Sequence, residues 1–278
     1  MLDSLFLALG LNQTPATFPP PVNPAPLLVF EPGNLQPIIA ATAAIVIDLN
    51  SGQTLFAKNS DEPLPIASLT KLMTALVVRE KFALSEVVQV SAKAAHTPPA
   101  KIWLRPGEKI SVQALLRALL IRSANDAAFA LAEKLGFDEF ITTMNQKGTQ
   151  LGLKNSHFSN PAGFDDPENF STARELALIA QVFWRDNFLR EIVGNDQGTV
   201  FSIDQKIEHD FGSTNRLFNS FLNIQGLKTG FTEAAGECFA GVNRLPNGHE
   251  ILAIVLNSPN RFQEVKALLS FFTPLPKS

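Results

Sequence analysis

The stretch "ATAAIVIDLNSGQTLFAKNS" (Ala41–Ser60) opens with an apolar run, turns at Asn50-Ser51-Gly52, and continues as a second, alternating run. That pattern predicts a β-hairpin between about Ala41 and Lys58. The far end of the chain answers it. "GECFAGVNRLPNGHEILAIVLNS" (Gly236–Ser258) reads as two strands joined at Pro246-Asn247-Gly248, and "RFQEVKALLSFF" (Arg261–Phe272) as a closing helix. Between the ends the spacing turns helical. In "SLTKLMTALVV" the apolar residues Leu69, Leu72, Met73, Leu76, Val77 and Val78 fall nearly all round a helical wheel, which predicts a buried helix. A helical section follows from about Ser111 to Leu151, interrupted near Ser123 and again by Gly136. "STARELALIAQVFWRD" (Ser171–Asp186) begins with Ser171 or Thr172 as a cap. Strands at both ends and helices between them predict an α+β fold. One antiparallel sheet is built from both chain ends and flanked by helices, with a helical insertion.

The chain has 278 residues and a net charge of -3, so it lacks the basic face that nucleic acid requires, and no nucleic-acid partner is expected. It contains no tyrosine, which excludes a tyrosine hydroxyl as acid or base. The single Cys238 permits no internal disulfide and reads as a small core residue in "ECFAGV". His96, His157, His209 and His249 are scattered without ligand spacing, so no metal or other cofactor is expected, and they read as surface or loop histidines. Trp103 and Trp184 read as core or rim packing. Residues 1–37 form a separate region. "LFLALGL" (Leu5–Leu11) is too short to span a bilayer and lacks a basic flank. Pro15 to Pro37 then holds eight of the nineteen prolines and one charge, Glu31, the composition of a semi-rigid linker. A folded domain is expected over residues 38–278.

Three short motifs carry chemistry. Ser68 and Lys71, in "PIASLTKLM" (Pro65–Met73), are the chain's one Ser-x-x-Lys pair. They stand at the start of the buried helix, where backbone N–H groups lack partners, and the spacing puts both side chains on one face. Lysine acts as a base only when neutral, and burial or a second cation must depress its pKa from about 10.4 toward 7. Lys228, in "GLKTGFT" (Gly226–Thr232), is the candidate second cation, beside a glycine that lets a ligand approach a strand edge. "RSANDAA" places Ser123 and Asn125 at a helix break, where Ser123 taken alone reads first as a cap for a helix starting near Asp126.

In this order, Ser-x-x-Lys, Ser-Ala-Asn and Lys-Thr-Gly resemble the motifs of the penicillin-recognising serine enzymes, and among them the low-molecular-weight D-alanyl-D-alanine carboxypeptidases. The flanks "LPIASLTKLMTALV", "LLIRSANDAA", "GLKNSHFSNPAG", "FSTARELALIA" and "GLKTGFTEAAG" extend the likeness from about Ile38 to Phe272. The resemblance implies a β-lactamase/DD-peptidase-like fold and a peptidoglycan stem peptide as substrate, with β-lactams as inhibitors. Ser68 would be the nucleophile, Lys71 its base and Ser123 a proton relay. Asn125 would hold the substrate amide, and Lys228 and Thr229 its carboxylate. The backbone N–H groups of Ser68 and Phe231 would form the oxyanion hole, and Gly230 and Thr232 would shape the strand edge. Ala124 stands where many members have glycine, and Phe231 where some have histidine. Arg216 is a candidate for an assisting arginine, although its register does not match the family cleanly.

Two alternatives predict different behaviour. A class A-like β-lactamase needs a glutamate to position the deacylating water. Glu168 and Glu175 are the candidates, and neither has the expected spacing. A catalytically silent wall-binding module would form no covalent penicillin adduct. The substrate implies an extracytoplasmic location, with the N-terminal segment as candidate membrane tether.

Overall fold

The computed structural model describes residues 37–273 apart from 219, 221 and 223. The apolar stub and nearly all of the Pro-rich segment lie outside the described residues. In chain order the strands and helices are β1 (Ala43–Asp48), β2 (Thr54–Lys58), β3 (Leu64–Pro65), α1 (Thr70–Lys81), β4 (Val87–Gln89), α2 (Ala92–Ala95), β5 (Lys109–Ser111) and α3 (Val112–Arg117). There follow α4 (Asn125–Leu135), α5 (Phe137–Gln150), β6 (Phe170–Ser171), α6 (Ala173–Arg185) and α7 (Asn187–Val193). The chain closes with β7 (Gln197–Phe201), β8 (Glu208–Gly212), β9 (Ile224–Thr232), β10 (Gly236–Arg244), β11 (Glu250–Ser258) and α8 (Arg261–Phe271).

The main sheet has the order β2-β1-β11-β10-β9, and all its pairs are antiparallel. It therefore joins the two chain ends, as the sequence predicts. All six residues of β1 are buried, which requires cover on both faces of the sheet. Helix α6 packs on β1 and β11, and α8 packs on β10 and β11, where Val265 meets the open face of Gly241. Glu264 of α8 ties the ends together by accepting from the backbone N–H groups of Ala40 and Ala41 and from the hydroxyl of Ser258.

The hairpin, the capped helix and the final strand pair form where expected. Thr172, not Ser171, caps α6 by accepting from the N–H of Glu175. Three two-stranded ribbons, β3–β6, β4–β5 and β7–β8, add to the predicted plan. The β7–β8 ribbon has a readable signal in its alternating burial, but its strands are short and flanked by charge.

Two readings of single residues need correction. His209 and His249 are buried, not superficial. His209 bridges the carbonyl of Ile102 and the carboxylate of Glu108, each at 2.9 Å, and His249 meets Asp48 at 3.0 Å. A buried imidazole needs polar partners, which both ring nitrogens of His209 and Nδ1 of His249 find, and sequence spacing does not reveal them. Trp103 is 68% exposed and held at φ 66°. Its neighbours Ile102 and Leu104 turn inward because their N–H groups bind the carboxylate of Asp126, which turns Trp103 outward, against the ammonium of Lys101. Trp184 is in the core and donates to Glu250. Cys238 is buried as expected, and burial pushes its thiol up to about 11.

Candidate active site

Ser68 lies in a short 3₁₀ turn, Ala67–Leu69, that leads into α1, and Lys71 falls in the first turn of that helix. Every residue of α1 from Thr70 to Val78 is buried, so the lysine is carried into the interior with its helix. Its Nζ lies 2.8 Å from Ser68 Oγ, 2.8 Å from Asn125 Oδ1 and 2.6 Å from the carbonyl oxygen of Ala162. Two of these three atoms only accept. The amide of Asn125 is oriented by its Nδ2, which donates to Pro98 O at 3.0 Å. A neutral amine has two N–H groups and one lone pair. With both hydrogens given to Asn125 and Ala162, the lone pair is left for the hydroxyl proton of Ser68.

Electrostatics agree with this arrangement. Burial lowers the pKa of Lys71 to about 7, against the opposing pull of Asp126. Holding the amine neutral costs about 5 kcal/mol relative to water. The expectation that Lys228 supplies the depressing charge needs revision. Lys228 is itself fully buried, and its pKa falls well below the usual lysine range through burial and the charges of Lys71 and Arg261. For Lys71 the depressing cause is burial, with Asp126 pulling the other way, and Lys228 is not among the groups that shift it.

The second motif sits at a change of helix type. After α3 the chain makes a π-helical turn, Ala118–Arg122, which ends with Ser123 at φ 64°. Ser123 is therefore not the cap of α4; Ala124 takes that position and makes no side-chain cap bond. The left-handed residue turns the chain so that Ser123 and Asn125 both line the cleft.

The third motif is on β9, the edge of the main sheet. Gly230 lets the strand approach the Ser68 turn closely: a Cβ there would stand 3.0 Å from both Ala67 Cβ and Ser68 N, so the turn would have to give by a few tenths of an ångström. Thr229 Oγ1 lies 2.6 Å from Thr214 Oγ1. The cleft of about 210 Å³ is lined by Ser68, Ser123, Asn125, Thr229, Gly230, Phe231 and Thr232. Lys71 and Lys228 lie beneath its wall.

Several residues at the site escaped sequence reasoning. Arg261, not Arg216, reaches the cleft. Its guanidinium donates to Gly230 O at 2.6 Å, and its Nε is buried without a partner. Arg216 is exposed and stacks over Phe262 instead. One signal was available: Arg261 opens α8, and a cation at a helix N-terminus opposes the helix dipole. Asn160 and Gly163 were also missed. Asn160 Oδ1 accepts from the N–H groups of Ala162, Gly163 and Phe164, folding the loop that presents Ala162 O to Lys71. No group of three His, Cys, Asp or Glu that could hold a metal occurs among the described residues.

Residues 32–260 match the family model described as D-alanyl-D-alanine carboxypeptidase, peptidase S11. This chain belongs to that family. It is 33% identical over 221 residues to the D-alanyl-D-alanine carboxypeptidase DacF of Bacillus subtilis, covering 77% of this chain and 57% of that protein. It is 34% identical over 253 residues to a D-alanyl-D-alanine endopeptidase of Pseudomonas aeruginosa, covering 88% of this chain and 79% of the relative. The chain thus spans a little over half of the first relative's length and about four fifths of the second's. Among solved structures, the Streptomyces K15 DD-transpeptidase superposes with a TM-score of 0.81 at 28% identity, covering 86% of this chain and 98% of that one. The S11 fold thus agrees with the predicted sheet from both ends. No helix among the described residues is long and apolar enough to cross a membrane.

Proposed function

We propose that this chain is a serine D-alanyl-D-alanine carboxypeptidase acting on peptidoglycan stem peptides through an acyl-enzyme, with residues 38–278 as the catalytic domain. The observation that carries the reading is the hydrogen-bond set of Lys71 Nζ, whose two acceptor-only partners leave its lone pair for Ser68. Ser68 Oγ attacks the carbonyl of the penultimate D-alanine while Lys71 Nζ takes its proton. The carbonyl oxygen becomes an oxyanion between the N–H groups of Ser68 and Phe231, each such donor contributing about 3 to 4 kcal/mol. The C–N bond then breaks, and the proton passes through Ser123 to the departing amine. Water later cleaves the ester, releasing the shortened peptide and restoring the Ser68 hydroxyl. Asn125 holds the substrate amide. Lys228, Thr229 and Arg261 bind its terminal carboxylate. Penicillins enter the same cycle and stop at the acyl-enzyme.

The β-lactamase alternative lacks its base. Glu175 is occupied by the N–H groups of Lys154 and Asn155 and the hydroxyl of Ser156, and neither it nor Glu168 lines the cleft. The stem-peptide substrate supports action outside the cytoplasmic membrane, with the Pro-rich N-terminal segment as the tether. D-alanine release from Nα,Nε-diacetyl-L-lysyl-D-alanyl-D-alanine tests the reading. Wild type is expected to release D-alanine, and Ser68→Ala to release none. Arg261→Ala should raise KM about tenfold through loss of a charge-assisted contact, while Arg216→Ala stays within about twofold. Release by the Ser68 variant, or equal effects at the two arginines, would contradict it.

A further inference from the structure

Asn125, which meets Lys71 at 2.8 Å, is itself held by residues 98–104, a segment without helix or strand. The backbone N–H of Asn125 donates to Ala100 O at 2.7 Å, and its Nδ2 donates to Pro98 O at 3.0 Å. Pro99 and Ala100, between and at these contacts, line the cleft. Two groups anchor the far half of the segment. His209 of β8 meets Ile102 O at 2.9 Å, with Glu108 on its other ring nitrogen. Asp126, the residue after Asn125, accepts from the N–H groups of Ile102 at 3.2 Å and Leu104 at 3.1 Å.

Asp126 is wholly buried in the first turn of α4. Its hydrogen-bond partners are the N–H groups of Ile102, Leu104 and Ala127, and none of these can accept from a protonated carboxyl. The group is therefore held as a carboxylate, at the helix end that favours negative charge. Burial raises its pKa, and the three N–H groups oppose that rise. Lys101 of the same segment and Lys71 of α1 are the cations that act with it. Lys228 of β9 feels Lys71 but does not shift it. Asp126 is thus the charge that favours the Lys71 ammonium, against burial.

We infer that Asp126 is a positioning residue of the active site, which pins residues 98–104 against Asn125 and, through its buried negative charge, sets the pH at which Lys71 serves as base. This rests on the reading of Lys71 as the base for Ser68. Asp126 acts through Asn125 and Lys71 and lines no part of the cleft. A general base works best when its pKa lies near the operating pH. Burial without an opposing charge would carry the amine below that range and leave it a weaker base.

The test is the second-order rate of benzylpenicillin acylation from pH 5 to 9 for wild type, Asp126→Asn and Asp126→Glu, with amide hydrogen exchange of the wild type beside it. Asp126→Asn removes the charge, so the midpoint, near 7 in wild type, is expected to move about one pH unit lower. Its plateau rate is expected to fall about tenfold as Asn125 loses its support. Asp126→Glu keeps the charge and is expected to hold the wild-type midpoint, whatever its plateau. In wild type, the N–H groups of Ile102 and Leu104 are expected to exchange about 100-fold more slowly than that of the exposed Trp103 between them. An unchanged midpoint in Asp126→Asn, an equal movement in Asp126→Glu, or exchange at 102 and 104 as fast as at Trp103 overturns this inference and leaves the acyl-enzyme reading standing. The exchange is read on the wild type, so it decides the matter even for a substitution that prevents folding. A wild type that is not acylated, or whose rate is flat across this range, overturns both.

Discussion

At the residue scale, the proposed chemistry turns on the proton state of one lysine. The folded pKa of Lys71 is about 7, depressed by burial from its ordinary value near 10.5. As a base it works only when neutral, so below pH 7 its active fraction falls about tenfold per pH unit. The second-order rate of acylation by a penicillin should therefore rise with pH and level off above an apparent pKa near 7. A rate flat from pH 5 to 9, measured by stopped flow, would remove Lys71 from the role. Stability has a matching sign. The native state binds fewer protons than the unfolded chain between about 7 and 10.5, so the cost of this group is complete below pH 7 and shrinks as pH rises through that window. The pair was legible in the sequence because Ser-x-x-Lys fixes spacing and the apolar run implies burial. Its protonation logic was not, since Asn125 and Ala162 lie 54 and 91 residues away from Lys71.

At the scale of elements, the site depends on the close approach of three backbones: the Ala67–Leu69 turn, the Asn160 loop and β9. Gly163 holds φ +83°, and a Cβ there would lie 1.8 Å from the carbonyl oxygen of Ala67 and 2.9 Å from Ser68 N. Gly163→Ala must push the Ala67–Leu69 turn away, and acylation should slow by about 100-fold or more, as misplacement of reacting groups by about 1 Å does elsewhere. Gly148→Ala is the contrast. It lies within α5, where the added methyl would meet Leu153 at an ordinary 3.6 Å. That change should leave acylation intact and raise stability by up to about 1 kcal/mol through helix propensity. Equal acylation rates for the two variants would show that backbone approach does not set the site. The elements themselves were largely readable, because buried helices and alternating strands announce their period. The π-helical turn before Ser123 was not. Its sequence, "ALLIR", continues the helical pattern of α3, and only the tertiary demand for a left-handed residue at Ser123 changes it.

At the scale of the molecule, the sheet makes the site by uniting the two chain ends. β1 pairs along its whole length with Ile251 to Leu256 of β11, and Glu264 fastens the entering chain to the closing helix. Glu264→Ala would orphan two backbone N–H groups and a hydroxyl, at a cost of roughly 2 to 3 kcal/mol. For a domain of this size the melting temperature should fall by about 5–10 °C. Penicillin acylation at 20 °C should stay near wild type, because the carboxylate lines no part of the cleft. A loss of acylation without loss of melting temperature would assign Glu264 to the site instead. The sheet from both ends was foreseeable because its four longest strands lie in two distinct apolar blocks at either end of the chain. The buried His209–Glu108 and His249–Asp48 pairs were not, since each joins residues more than a hundred positions apart.

The most direct measurement is intact mass after brief exposure to benzylpenicillin, for wild type and Ser68→Ala. The predicted result is one added penicilloyl mass on the wild type, mapped to the peptide containing Ser68, and none on the variant. An unmodified wild type with the antibiotic left intact, or an adduct that survives in Ser68→Ala, would contradict the assignment of Ser68 as the nucleophile activated by Lys71.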